Sequence, residues 1–230
     1  MVIIERLLKG RKKLICLGDS HVEIFNYIKI QNLLKEFDIE VLSVSGATAM
    51  GIVNPNSQTN ALKIFWEFLS GKDKNSYIVL QLGEVDCGFV IWYRAKKYQL
   101  TVQEQFEYSL KNYFIFIKKI HKKFKNIILT GSVIPTIKEN QDFGEVANLR
   151  KKVKVSLLER TKLTQNYNLE LKKFAKKLNI FYFDIIDDVI NKSSGVVNEK
   201  FLNENKFDHH LSFSKTAGFW VKKIKDLNLK

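Results

Sequence analysis

Residues 13–20 read Lys13-Leu14-Ile15-Cys16-Leu17-Gly18-Asp19-Ser20, an apolar run that stops at a glycine and gives way to small polar residues. A short apolar run with no helical period and a turn signal behind it describes a strand buried on both faces. Working outward, the pattern returns at 38–46 (DIEVLSVSG), 76–83 (SYIVLQLG), 126–133 (NIILTGSV) and 179–186 (NIFYFDII). Between these runs the period lengthens. Ile24, Tyr27, Ile28, Leu33 and Leu34 recur at near-helical spacing over 22–37, and helices are expected at 59–69, 102–124, 145–178 and 214–227. In the 102–124 helix Phe106, Leu110, Tyr113, Phe114, Ile117 and Ile120 make one stripe.

Strand alternating with helix five times requires parallel pairing, because parallel neighbours need long crossovers and bury both sheet faces. Right-handed crossovers then predict a flavodoxin-like, doubly wound five-stranded parallel sheet with helices on both faces, an α/β/α sandwich. Ligands in such sheets sit at the carboxyl ends of the strands. The loops after the first three strands and before the last helix are therefore where chemistry is expected.

The composition agrees with one folded domain over residues 1–230. At 45% hydrophobic the chain can build a sizeable core, which excludes intrinsic disorder, and with two prolines it has no stretch that resembles a linker. Lys and Arg number 38 against 24 Asp and Glu, a net +14. Arginine occurs only at positions 6, 11, 94, 150 and 160. Nucleic-acid readers rely on arginine forks, so a nucleic-acid partner is not expected. Lysines along helix faces keep those faces solvated; beyond that they suit anionic partners such as acidic glycans, or weak peripheral contact with membrane headgroups through the basic segment 1–12.

The opening residues lack the apolar core of a secretory signal, and no run approaches a membrane span, so a cytoplasmic setting is expected. Cys16 and Cys87 lie in apolar neighbourhoods and read as packing residues. No P-loop or dinucleotide fingerprint occurs, and no cofactor is implied. No metal site is expected either: His209 and His210 adjoin each other without a compact ligand set, the cysteines lack zinc-type spacing, and His121 stands among helix lysines.

Gly18-Asp19-Ser20-His21 follows the first strand. A serine at a strand-to-helix turn projects its hydroxyl above the sheet edge, with its N–H near a helix start, as a nucleophile and an oxyanion donor require. Alone, the motif is weak and reads first as a cap of the next helix by Asp19 or Ser20. Asp208-His209-His210-Leu211-Ser212 precedes the last helix and holds two of the four histidines beside an acid. It reads either as a solvated turn or as a general base, oriented by a carboxylate, that takes the Ser20 proton. The topology carries both segments to one sheet edge, which makes the pair more specific than either half.

With these residues the sequence resembles the SGNH/GDSL hydrolase superfamily. Gly18-Asp19-Ser20 corresponds to its first block, Ser45-Gly46-Ala47-Thr48 to its glycine block, Gly83-Glu84-Val85-Asp86 to its third, and 208–210 to its last. More narrowly, GDSH with GEVDC and DHHLS resembles a bacterial branch found with capsule and surface-polysaccharide biosynthesis. The resemblance implies Ser20 as nucleophile, the Ser20 and Gly46 N–H groups as oxyanion donors, and a serine esterase or O-acyltransferase acting on an acylated carbohydrate. The alternative on the same fold is a non-catalytic glycan-binding or assembly module.

Two positions depart from the superfamily pattern. Its third block ordinarily supplies an asparagine donor where this chain has Val85, and Glu84 can donate only when protonated. In the last block, aligning His-Leu-Ser makes His210 the base and puts Phe207 where the acid should stand, with Asp208 only two residues before the base; His209 is the alternative base. Asp19, His21, Glu84, Asp86, Trp92 and Arg94 are the candidate substrate contacts, with Asp86 reading equally as the cap of a turn. Trp92, Tyr93 and Arg94 read as a loop that either stacks on a sugar ring and grips an acidic substituent or simply lids the core. Asn54 and Asn56, flanking Pro55, read as a turn.

Overall fold

The computed structural model describes residues 10–139 and 153–229. Most of the basic segment 1–12, and residues 145–152 of the expected 145–178 helix, lie outside the described residues. Five parallel strands form the sheet: β1 (Lys12–Gly18), β2 (Phe37–Ser43), β3 (Tyr77–Gln81), β4 (Asn126–Thr130) and β5 (Phe181–Phe183), in the spatial order β2-β1-β3-β4-β5. This is the flavodoxin-like order expected from the sequence. The pleat divides each buried run between two cores. Ile15, Leu17, Ile78 and Leu80 face one, with helices α2 (Ala61–Leu69), α4 (Val102–Lys123) and α5 (Leu157–Leu178). Leu14, Cys16, Val79 and Ile128 face the other, with α1 (Ile24–Ile30) and α7 (Phe213–Asp226). Both cysteines are buried thiols.

Helix boundaries follow from end chemistry that hydrophobic period does not report. The 22–37 segment splits into a 3₁₀ turn, Ser20–Glu23, and the short α1, after which Asn32 turns into the left-handed region at φ 51°. Thr101 and Ser156 begin α4 and α5 with reciprocal capping boxes to Glu104 and Glu159, which pair otherwise orphaned N–H groups. Among the described residues, the helix expected over 145–178 is α5, capped by Ser156. The segment expected to be a loop around Trp92 is instead helix α3 (Ile91–Tyr98), entered directly from a π-helical turn, Asp86–Val90. A four-residue helix α6 (Ile186–Val189) and a two-stranded antiparallel ribbon, β6 (Ile190–Asn191) with β7 (Val196–Val197), carry the chain from β5 toward the last loop.

Gly18 matters at the end of β1 because of close approach. A Cβ there would lie 2.3 Å from the Gln81 carbonyl oxygen, on the strand that receives the Asp19 N–H. Only glycine lets β1 and β3 stay paired up to the point where Asp19-Ser20 leaves the sheet.

Candidate active site

Asp19 caps the 3₁₀ turn that carries Ser20: its Oδ1 accepts the His21 N–H at 2.9 Å and the His21 Nδ1–H at 3.0 Å. The Asp208 loop repeats this construction. Asp208 Oδ1 accepts the His210 N–H at 2.9 Å and the His210 Nδ1–H at 2.5 Å. An aspartate two residues before a histidine thus serves as turn former and ring holder together, because the Asx turn brings the i+2 imidazole back over its own carboxylate. This explains how Asp208 can orient His210 at a spacing of two. Phe207, at a spacing of three, is 70% exposed.

A carboxylate can only accept, so Nδ1 of His210 carries the ring proton and Nε2 presents a lone pair. Ser20 Oγ lies 2.8 Å from that Nε2, across 190 residues of sequence. Of the two adjacent imidazoles, His210 is the one in this contact. The loop is fixed by several further bonds. Asn203 Nδ2 donates to Asp208 Oδ2 at 2.8 Å, the Ser212 N–H donates to the Phe201 carbonyl at 2.8 Å, and Thr136 Oγ1 donates to the His209 carbonyl. Burial is the main cause holding His210 below the ordinary histidine range, with neighbouring His21 second and Asp208 opposing. A lowered value keeps the ring neutral, the form that can accept a proton. Asp208 is itself held below the usual carboxylate range by its bonds to the His210 N–H and ring, against the opposing effect of burial.

Gly46 sits just beyond β2 with φ 71°, a conformation that costs an L side chain. The loop after it is anchored from below. Asp86, fully buried, accepts the Ala49 N–H on Oδ2 and the Met50 N–H on Oδ1, each at 2.8 Å, while Asn112 Nδ2 donates to the Met50 carbonyl at 2.7 Å. Ser109 Oγ donates to Asp86 Oδ1 at 2.8 Å and lies 2.9 Å from Tyr167 OH, which joins the network to α4 and α5. Asp86, expected at the substrate rim, is therefore an internal brace of the Gly46 loop. Ser109, Asn112, Tyr167 and Asn203 were not legible as site residues. The available signal was two polar residues, Ser109 and Asn112, interleaved with the apolar stripe of α4.

Burial pushes the Asp86 carboxyl up to about 6, against its three hydrogen bonds. The folded state then holds this proton over a pH range in which the unfolded chain, near 3.9, has lost it. Stability from this group is present at pH 4 and falls as pH rises through about 6, by about 2–3 kcal/mol. Asp86→Asn, which resembles the protonated acid, should lack that slope. The stability difference between variant and parent should shift by this amount in the variant's favour between pH 4 and pH 7 in denaturant melts; parallel curves would refute the assignment.

The other candidate contacts are placed as follows. Asp19, His21 and Glu84 are buried, at 1%, 4% and 2% exposure. Trp92 Nε1 donates to the Cys87 carbonyl at 2.7 Å, and Arg94 Nε donates to Gln105 Oε1 at 2.9 Å with its guanidinium over Tyr98. These polar groups join α3 to its neighbours rather than forming a loop at the rim. Asn54 and Asn56 form the expected turn, with the Asn56 N–H on Asn54 Oδ1 at 3.0 Å. The expectation that no compact ligand set exists does not hold: one ring nitrogen each of His21, His209 and His210 lie within 4.8 Å of one another. His21 follows Ser20 directly, and the fold brings it to the other two. No helix among the described residues is long and apolar enough to cross a membrane.

A scan against protein-family models gives no match, and a search of curated proteins gives none at the stringency the structural matches meet. Solved structures do match. An acetylxylan esterase from Geobacillus stearothermophilus, a catalytic mutant, aligns at 16% identity and a TM-score of 0.55 over 96% of this chain and 97% of its own. A GDSL-like lipase from Bacteroides thetaiotaomicron aligns at 14% identity and 0.51 over 98% and 94%, and a phospholipase A1 from Streptomyces albidoflavus at 11% and 0.54 over 94% and 99%. The fold is SGNH-like. Identities this low establish the SGNH-like architecture and leave activity to be argued from the site.

Proposed function

We propose that this protein is a serine ester hydrolase or O-acyltransferase that acts on an O-acylated carbohydrate, with acetyl as the acyl group, in surface-polysaccharide metabolism in the cytoplasm. The observation that carries the reading is the relay Asp208–His210–Ser20, at 2.5 and 2.8 Å. His210 Nε2 takes the Ser20 proton while Oγ bonds to the ester carbonyl carbon. The Ser20 and Gly46 N–H groups are the donors assigned to the oxyanion. Collapse breaks the bond to the sugar oxygen, which leaves with the proton from His210. Water then resolves the acyl-enzyme in hydrolysis, or a sugar hydroxyl in transfer. The acetylxylan esterase named above shares the architecture, and the net +14 charge suits an acidic glycan. A serine-directed fluorophosphonate should label Ser20 in the native protein and not after denaturation; absence of labelling at neutral pH would sink the catalytic reading.

Val85 favours a second reading, a glycan-binding or assembly module with its catalytic hole left incomplete. Losing one oxyanion donor typically lowers turnover by about 10²–10³. Val85, half-buried at the entrance to the π turn, offers no side-chain donor. Val85→Asn should raise kcat on a small acetyl ester about tenfold or more while leaving KM little changed. An unchanged rate would mean that another group already serves the oxyanion.

A further inference from the structure

Three of the chain's four histidines meet at the proposed site, although the relay uses one. The ring centroids of His21 and His210 are 4.6 Å apart, those of His209 and His210 4.3 Å, and those of His21 and His209 5.5 Å. The set comes from two segments near opposite ends of the chain, so it is a product of the fold.

We propose that His21, His209 and His210 together bind one late first-row divalent cation, of the Zn²⁺ class, and that the cation holds the protein inactive by occupying the nitrogen that serves Ser20. Three observations support this. First, the ligand atoms lie within 4.8 Å of one another. In a tetrahedral site with Zn–N near 2.0–2.1 Å, ligand nitrogens are about 3.3 Å apart, so side-chain shifts of about 1 Å complete the set. Second, two of the imidazoles already carry carboxylates on Nδ1, Asp19 on His21 and Asp208 on His210. A carboxylate behind the ring is the arrangement that orients a metal-binding histidine and raises its basicity. Third, these two carboxylates bring negative charge to a strongly basic chain where a dication would sit, and a ligand set of imidazoles suits zinc, copper and nickel over magnesium or calcium.

The inhibitory consequence follows from His210. Its Nδ1 is held by Asp208, which leaves Nε2 as the metal-facing atom. Nε2 cannot both bind a cation and accept the Ser20 proton. This half of the inference rests on the hydrolase reading; the binding half does not.

The test begins with chelator-treated protein and Zn²⁺ alone, by titration calorimetry, with Co²⁺ as a spectroscopic probe. One equivalent should bind, and Co²⁺ should give the intense visible bands of a low-coordinate nitrogen site. His21→Gln and His209→Gln should each weaken binding tenfold or more, whereas His121→Gln, at the far end of α4, should leave it unchanged; circular dichroism confirms that each variant is folded. Absence of saturable one-to-one binding, or undiminished binding in the His21→Gln/His209→Gln double variant, would overturn the site. Ester turnover should then fall in proportion to Zn²⁺ occupancy and return with chelator. Turnover indifferent to full occupancy would overturn the inhibitory half. One-to-one binding by a protein that has no turnover even when metal-free would support the site and count against the hydrolase reading instead.

Discussion

Ser20→Ala is expected to lower turnover of 4-nitrophenyl acetate by a factor of about 10⁴–10⁶, which corresponds to about 5.5–8 kcal/mol of transition-state stabilisation. The size follows from what the substitution removes. Without Oγ no acyl-enzyme forms, His210 has no hydroxyl to deprotonate, and only the backbone donors remain to favour attack by water. Folding should be untouched, since the Ser20 side chain is half-buried and its hydroxyl faces the imidazole rather than the core. The variant should melt with the parent while its ester hydrolysis falls to background; equal rates in the two proteins would remove the proposed nucleophile.

Asp208→Asn is expected to cost about 10³–10⁴ in kcat, somewhat less than loss of the nucleophile. The hydrogen bonds around this side chain leave an amide no good orientation. Oδ1 accepts both the N–H and the Nδ1–H of His210, while Oδ2 accepts from Asn203 Nδ2. Asn203 cannot turn its amide round without losing the Asn205 N–H held by its own Oδ1 at 3.0 Å. An asparagine NH₂ must therefore face either Asn203 or the imidazole. Facing the imidazole, it moves the ring proton to Nε2, where the ring can no longer accept from Ser20. The carboxylate also favours the charged imidazole, so the acid limb of the pH–rate profile should move to lower pH in the variant. A loss below tenfold would show that Asp208 does not orient the base.

Much of this architecture could be read along the chain. Residues such as Leu14 to Leu17 and Tyr77 to Leu80 are apolar without alternation because both faces of a parallel strand are covered, and that local fact constrains the topology strongly. Element ends were less legible. The helix expected over 22–37 breaks at Asn32, and the start of α5 depends on Ser156 pairing with Glu159, both matters of one or two backbone hydrogen bonds that leave the hydrophobic period unchanged. The mistaken loop at Trp92 has a related cause. The π turn at Asp86–Val90 runs straight into α3, and polar residues at 92–94 find partners on neighbouring elements instead of solvent.

The amino-acid sequence by itself determined a parallel sheet with its chemistry at the carboxyl ends, because buried runs joined by long amphipathic segments admit few other packings. It also determined that Asp19 and Asp208 would each turn the chain back on a histidine two residues later, since that geometry is local. Which of two neighbouring imidazoles meets Ser20, and that His21 joins them, was decided only by the tertiary structure: the direction of a ring depends on the Asn203, Thr136 and Phe201 contacts that fix its loop. Asp86 shows the same division. Its position after β3 marked it as a rim residue, and the buried N–H groups of Ala49 and Met50, unsatisfied without it, made it the support on which the Gly46 loop rests.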